Sequence, residues 1–310
     1  MSCAIGIDLG GTSMKSALVV EGEIVHRGNP IDTQSLGGPI AIIDAMVGLV
    51  GQLGEHGKPV AAIGIGLPGL VDSVNGIVHE LTNVPGWEET PLRQIMRQRT
   101  GLPVTIENDA KAMAYGEWKY GAAKSGRHVI CITLGTGVGG GLIIEGKIYR
   151  GAKLAAGEIG HMSIDYRGRR GPYGNFGGLE EYIGNHQIAE RAQERYRDAG
   201  RELTLEQCSP RCLAELANNG DAIAKQMWED LGDELGAALA SVVWIINPDT
   251  IVIGGGVAKA GELLFDPVRR SIRARTLDII HNDLRIVPAA LGNDAGIIGN
   301  AALAIEAATA

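Results

Sequence analysis

The chain has 310 residues, 45% of them hydrophobic and 21% charged, a globular balance with room for two domains of ordinary size. A formal charge of −8 leaves no broad basic face, so nucleic acid is not an expected partner. The opening MSCAIGIDLG lacks a basic segment and a long apolar core, and no apolar run reaches membrane-spanning length, so neither a signal peptide nor a membrane span is expected.

In chain order, residues 4–9 read as a buried strand, DLGGTS as a turn, MKSALVV as a second strand and GEIVHRGNPI as a third. This is a β-meander with a tight glycine turn. A helix over 39–53 follows, then the strand AAIGIGL ending at Pro68-Gly69, a helix near 90–100, the short strand PVTIEN and the helix DAKAMAYGEWKYGAA. The same grammar then repeats. RHVICITL is a strand, GTGVGGG a turn, GLIIEGKIY a strand or hairpin, and a helical region begins near Leu179. Asp221 is a predicted N-cap for a long helix in which Ile223, Met227, Leu231, Leu235, Leu239, Val242 and Ile246 recur at helical spacing. TIVIGGG is a strand entering a glycine turn, a helix follows from about 260, RIVPAA is a last strand, and an Ala-rich helix from Ala295 closes the chain.

Two successive units of this kind predict an internally duplicated α/β protein. The division falls near residue 120, where Gly121, Ser125 and Gly126 flank a charge-rich joint. The lobes are then 1–120 and 121–292, and the segment 293–310 can return to the first lobe, because chain ends often lie together. The four cysteines, Cys3, Cys131, Cys208 and Cys212, form no disulfide framework and fit a reducing cytoplasm. Cys131 reads as strand core. Cys208 and Cys212 have the spacing of half a metal site, but no second pair completes one, which favours inert thiols.

Three glycine-rich segments carry the functional signal. Asp8-Leu9-Gly10-Gly11-Thr12 lies between two strands, where glycines let backbone approach a phosphate, Thr12 offers a hydroxyl and Asp8 a carboxylate able to hold Mg²⁺ through water. The other reading is a plain hairpin turn. Gly135 to Gly141 contain GxGxxG, but LIIEGKIY after it is strand-like. A dinucleotide fingerprint must open a helix, so a second phosphate-binding hairpin fits better. Gly254-Gly255-Gly256 follows a strand and precedes a helix, a place for a nucleotide. GxxxxGK[ST] does not occur. Asp109, at the strand-to-helix junction of IENDAKA, is a candidate general base, and Asn108 beside it can donate to and accept from a sugar. The alternative for Asp109 is an N-cap.

Together DLGGT, ENDAKAMAYGE, LGTGVGGG, AAGEIGH and GGLEEY resemble the ROK family of sugar kinases and repressors, in the hexokinase–actin superfamily, over essentially the whole chain. The resemblance implies an α/β, two-lobed actin-like fold built from duplicated RNase H-like units with an interlobe cleft, ATP with Mg²⁺ as cofactors, a hexose substrate, and often a homodimer. By the same resemblance, Asp8, Gly10, Gly11 and Thr12, with Lys15 next to them, form the first phosphate loop. Thr136 and Gly137 belong to the second, and Gly254, Gly255 and Gly256 cradle the adenosine. Asn108 and Asp109 hold the sugar, Asp109 as base. Glu158, His161 and Glu180 bind sugar hydroxyls, and Gly69 and Thr82 lie in the segment that closes over them.

Many relatives also hold zinc through the His of GEIGH and three cysteines in CxCGxxGCxE. Those cysteine positions here are Gly171, Tyr173 and Gly178; glycine has no ligating side chain, so structural zinc is expected to be absent. Tyr173 or Asp165 is expected to hydrogen-bond His161 in its place, or the RGRRG stretch to order on sugar binding. Because Asp8 falls in the first strand, a preceding DNA-binding domain is not expected, which disfavours a repressor; the presence of Asp8 and Asp109 disfavours a silent sugar sensor. The PGLVD…NVPGW stretch looks more like glucokinases, placing glucose before N-acetylmannosamine, N-acetylglucosamine, mannose, fructose or allose. Donor choice between ATP and polyphosphate is not legible.

Overall fold

The computed structural model describes residues 2–57, 59–81 and 84–309. Its first sheet is built from β1 (Cys3–Leu9), β2 (Ser13–Val20), β3 (Glu23–Arg27) and the two-residue β4 (Ile31–Asp32), followed by α1 (Pro39–Gly54) and β5 (Val60–Leu67). A small hairpin, β6 (Gly69–Asp72) with β7 (Ile77–Leu81), leads to α2 (Leu92–Thr100), β8 (Val104–Asn108) and α3 (Asp109–Lys119). The second sheet begins with β9 (Val129–Leu134), β10 (Val138–Ile144) and β11 (Lys147–Tyr149). Helices α4 (Glu180–Ile183), α5 (Asn185–Asp198), α6 (Pro210–Asn218) and α7 (Ala222–Ile246) come next. They are followed by β12 (Thr250–Gly255), α8 (Glu262–Arg275), α9 (Asp278–His281), β13 (Arg285–Pro288) and α10 (Ala295–Thr309).

The strand orders are β3-β2-β1-β5-β8 and β11-β10-β9-β12-β13. In each sheet an antiparallel meander of three is extended by two parallel strands, β5 and β8 in one, β12 and β13 in the other. The duplication expected from the sequence is therefore one of topology, strand for strand. Parallel strands need both faces covered, and Thr250–Gly254 are buried throughout. Asp221 caps α7 by accepting from Ala224 N at 2.9 Å, and Asn247 ends it with φ 47°.

Several elements depart from the sequence reading. The turn ends at Gly137; Val138 to Gly141 already belong to β10. Glycines are needed there for packing: a Cβ at Gly139 would lie 2.8 Å from Ala110 Cβ, one at Gly141 2.4 Å from Ala114 Cβ, and one at Gly140 2.4 Å from Gly157 O. The bare strand lets α3 lie on the second sheet. The β6–β7 hairpin and α6 had not been assigned. Cys131 and Cys208 are buried. Among the described residues no helix is long and apolar enough to cross a membrane.

Helix α10 packs on β1 and β5 and crosses α3. Its backbone lies against glycines of the first sheet: Cβ atoms at Gly6 and Gly64 would stand 2.1 Å from Ile297 O and 1.9 Å from Asn300 O. Asn300, itself buried, donates to Ile7 O at 3.0 Å. Gly64→Ala is therefore expected to lift the helix and cost about 1–3 kcal/mol, the usual range for overpacking. A urea midpoint unchanged from the parent would refute this close fit. The boundary near residue 120 stands as our proposal for the lobe division.

Candidate active site

Between the two sheets lies a cavity of about 400 Å³, lined by Asp8, Lys15 and Asp109 on one side and by Thr133, Gly254 and Gly255 on the other. Asp8, next to last in β1, lies opposite Lys15 of β2. Burial raises its pKa, and the Lys15 charge opposes that rise. The first turn of α10 abuts the same carboxylate, a Cβ at Gly296 falling 3.2 Å from it. Behind the Asp8 turn, buried Thr33 donates to Gly10 O at 3.0 Å, and Gly10 N donates to Ser13 O at 2.9 Å. Gly255 has φ 89°, and a Cβ there would sit 2.1 Å from Leu134 O, so only glycine lets β12 pass so close to β9 at the cavity wall.

Asp109 is the first residue of α3, directly after β8. The N-cap role weighed for it belongs instead to Asn108, whose Oδ1 accepts from Lys111 N at 3.2 Å. Asp109 Oδ1 accepts from Ala110 N at 2.8 Å. Its carboxyl is pushed up to about 7, first by burial, then by the negative charges of Asp8 and Glu158; the Ala110 amide and Lys111 pull the other way. Such a group is half ionised near neutrality, the range in which a general base works best.

The remaining candidates form adjoining clusters. Asn108 Nδ2 donates to Gly69 O at 3.3 Å. Glu158 Oε1 lies 3.3 Å from the Nζ of Lys111, whose side chain is only 2% exposed. Glu180 Oε2 accepts from Val138 N at 2.7 Å, so this carboxylate also braces the Gly137 turn. His161 meets the ring of Tyr173 edge-on, centroids 5.0 Å apart. Among the described residues no hydrogen bond joins its imidazole to Tyr173 or Asp165; Asp165 accepts from Arg167 N instead. That expectation is corrected, because the phenol points outward and is 77% exposed. Of the predicted residues among those described, only Asp8, Lys15, Asp109, Gly254 and Gly255 line the cavity; Gly10, Gly11, Thr12, Gly69, Asn108, Thr136, Gly137, Glu158, His161, Glu180 and Gly256 lie outside its lining. Thr82 falls outside the described residues.

Four polar groups at the site had not been singled out. Lys111 is one; a lysine between Ala110 and Ala112 on a helix facing the cleft was its only signal. Lys259 lines the cavity beside Gly254 and Gly255. Arg150 binds buried Glu107 at 2.7 Å, and Glu107 in turn accepts from Asn108 N at 3.0 Å, fixing the backbone beside Asp109. Glu107 and Arg150 are 43 residues apart, so no local pattern joins them.

The chain is similar to known proteins over nearly its whole length. The ROK family profile matches residues 4–307. A glucokinase of Streptomyces coelicolor is 34% identical over 99% of this chain and 98% of its own length. A glucokinase of Thermotoga maritima is 32% identical over 97% of each chain. The crystal structure of a ROK family glucokinase from Streptomyces griseus, in complex with glucose and AMPPNP, superposes with a TM-score of 0.82 at 34% identity, covering 98% of this chain and 100% of that one.

Proposed function

We infer that this chain, which belongs to the ROK family, is an ATP-dependent sugar kinase that phosphorylates a hexose hydroxyl, glucose before other hexoses, with Asp109 as base. The observation that carries the base assignment is the meeting of Asp8, Asp109, Gly254 and Gly255 around one interlobe cavity, with the Asp109 carboxyl poised at about 7. Phosphoryl transfer calls chiefly for positioning and charge neutralisation, with one acceptor for the attacking hydroxyl's proton.

In this reading the nucleotide lies along Gly254 and Gly255 with its phosphates toward Asp8 and Lys15. The hexose lies toward Asn108, Glu158, His161 and Glu180. Asp109, between the two, takes the proton from the attacking hydroxyl as the phosphoryl group moves. A carboxylate at Asp8 that burial disfavours suits a divalent cation, and Mg²⁺ there, held through water, would neutralise phosphate charge. Lys111 holds Glu158 and offsets the cluster of carboxylates around Asp109. A homodimer in the cytoplasm, where ATP is kept, completes the proposal.

The test is ATP consumption over a panel of hexoses. The kcat/KM for glucose is expected to exceed those for N-acetylmannosamine, N-acetylglucosamine, mannose, fructose and allose by about tenfold or more, the scale on which a pocket rejects an altered substituent. A higher value for another hexose overturns the glucose assignment. Consumption with none of them overturns the kinase itself.

A further inference from the structure

The loop from His161 to Glu180 stands where the family resemblance places zinc ligands in the pattern CxCGxxGCxE, but its residues do not fit that ion. Positions 171 and 178 have no side chain, and Tyr173 offers only a ring edge to His161. Another group occupies the space. A Cβ built on Gly171 would lie 2.4 Å from Asn175 Oδ1, and one on Gly178 3.1 Å from Asn175 Nδ2. Side chains at both positions would thus converge on one carboxamide. Asn175 Nδ2 donates to His161 O at 3.3 Å, and its Oδ1 is buried with no partner among the described residues.

Backbone bonds tie the two arms of the loop together. Ile164 N donates to Gly177 O and Leu179 N to Met162 O, both at 2.9 Å. At the tip, Gly171 N donates to Asn175 O at 2.8 Å and Gly177 N to Arg169 O at 2.6 Å. The carboxamide sits inside this closed loop, joining the tip to the carbonyl of the histidine.

We propose that Asn175 does the work of the missing metal: its carboxamide fills the space between positions 171, 178 and 161 and, by holding the His161 backbone, is a positioning residue for the sugar side of the site. Gly171 and Gly178 are the complement of that arrangement, since any side chain at 171 must displace the amide. The reading rests on His161 facing the sugar, as in the kinase proposed above. The catalytic carboxylate and the nucleotide end lie on other elements, so the effect is confined to the hexose.

The test compares Asn175→Ala and Asn175→Asp in the full chain. Asp keeps the volume of Asn but cannot donate to His161 O when ionised. Both variants are expected to raise hexose KM about tenfold or more, as loss of an outer-shell partner does at metal sites. Their ATP KM is unchanged and kcat falls less than about threefold, the split expected when binding alone is weakened. Amide hydrogen exchange at Ile164 and Leu179 is expected to speed up in both, with the first sheet unaffected. Unchanged hexose KM, a parallel rise in ATP KM, or Asn175→Asp behaving as the parent overturns the proposal, as does stoichiometric zinc in the purified parent. If the parent phosphorylates no hexose, the kinase reading fails by itself. Exchange then decides the loop: acceleration confined to 161–179 supports the role of Asn175, and none overturns it.

Discussion

Asp109→Asn is expected to lower kcat about a thousandfold, within the 10²–10⁴ that a positioned base contributes, while hexose KM moves by less than about threefold. Asparagine keeps the oxygen that accepts from Ala110 N, so the start of α3 and the shape of the cavity survive; only the capacity to take a proton is lost. The parent's kcat/KM should rise with pH through about 7 and level off above it, because burial and the charges of Asp8 and Glu158 raise this carboxyl and it must ionise to act. The same shift has a sign for stability. The folded value lies above the ordinary 3.8, so ionisation opposes folding, and the group's contribution is lost as pH rises through about 7. The variant should therefore melt above the parent at pH 8 and close to it at pH 4. Parent-like turnover in Asp109→Asn would remove the base from the mechanism.

The largest effect on stability is expected at Glu117, which is fully buried in α3. Its Oε2 accepts from Ala122 N at 2.9 Å and Ala290 N at 3.0 Å, and its Oε1 from Leu291 N at 2.7 Å. These amides belong to the two segments that link the sheets: the one leaving α3 for β9, and the one from β13 to α10. One carboxylate thus fastens both crossings of the chain. Glu117→Ala leaves three donors without an acceptor in a dry site, at roughly 1–3 kcal/mol for each unsatisfied group. Allowing for relaxation, a loss of about 4 kcal/mol is expected, read as a lower Tm and urea midpoint. Glu117→Gln keeps one acceptor oxygen and should fall between the two. A Glu117→Ala protein that unfolds with the parent would show that these bonds carry no stability.

Most of the strands and the meander that opens the first sheet were legible because runs such as AIGIDL and TIVIGG are apolar, short and followed by or ending in glycine, and because the same order of elements occurs twice. The placement of Asn108 and Asp109 where β8 gives way to α3 was legible because a strand-to-helix junction concentrates polar groups at one end of a sheet. What sequence concealed has a common physical cause. The glycines at 139–141 were read as turn, since local reasoning gives glycine a backbone role, whereas here the missing side chain makes room for Ala110 and Ala114. Glu117 and Asn175 look like ordinary surface residues of a helix and a loop. Their importance comes from amides and carbonyls that only tertiary folding brings to them, some of them 173 and 174 residues away in the case of Glu117.

Helix α10 lies over the row formed by Gly6, Gly64 and Gly66, yet it is made from residues 295–309. A ribosome synthesising this chain therefore releases the first sheet long before the element that covers it. During that interval β1 and β5 carry a strip of bare backbone, and the earliest part of the protein to emerge is among the last to be finished. The nascent amino-terminal half must be kept from pairing with other chains until synthesis is nearly over, a demand set by chain connectivity and independent of the chemistry in the cleft.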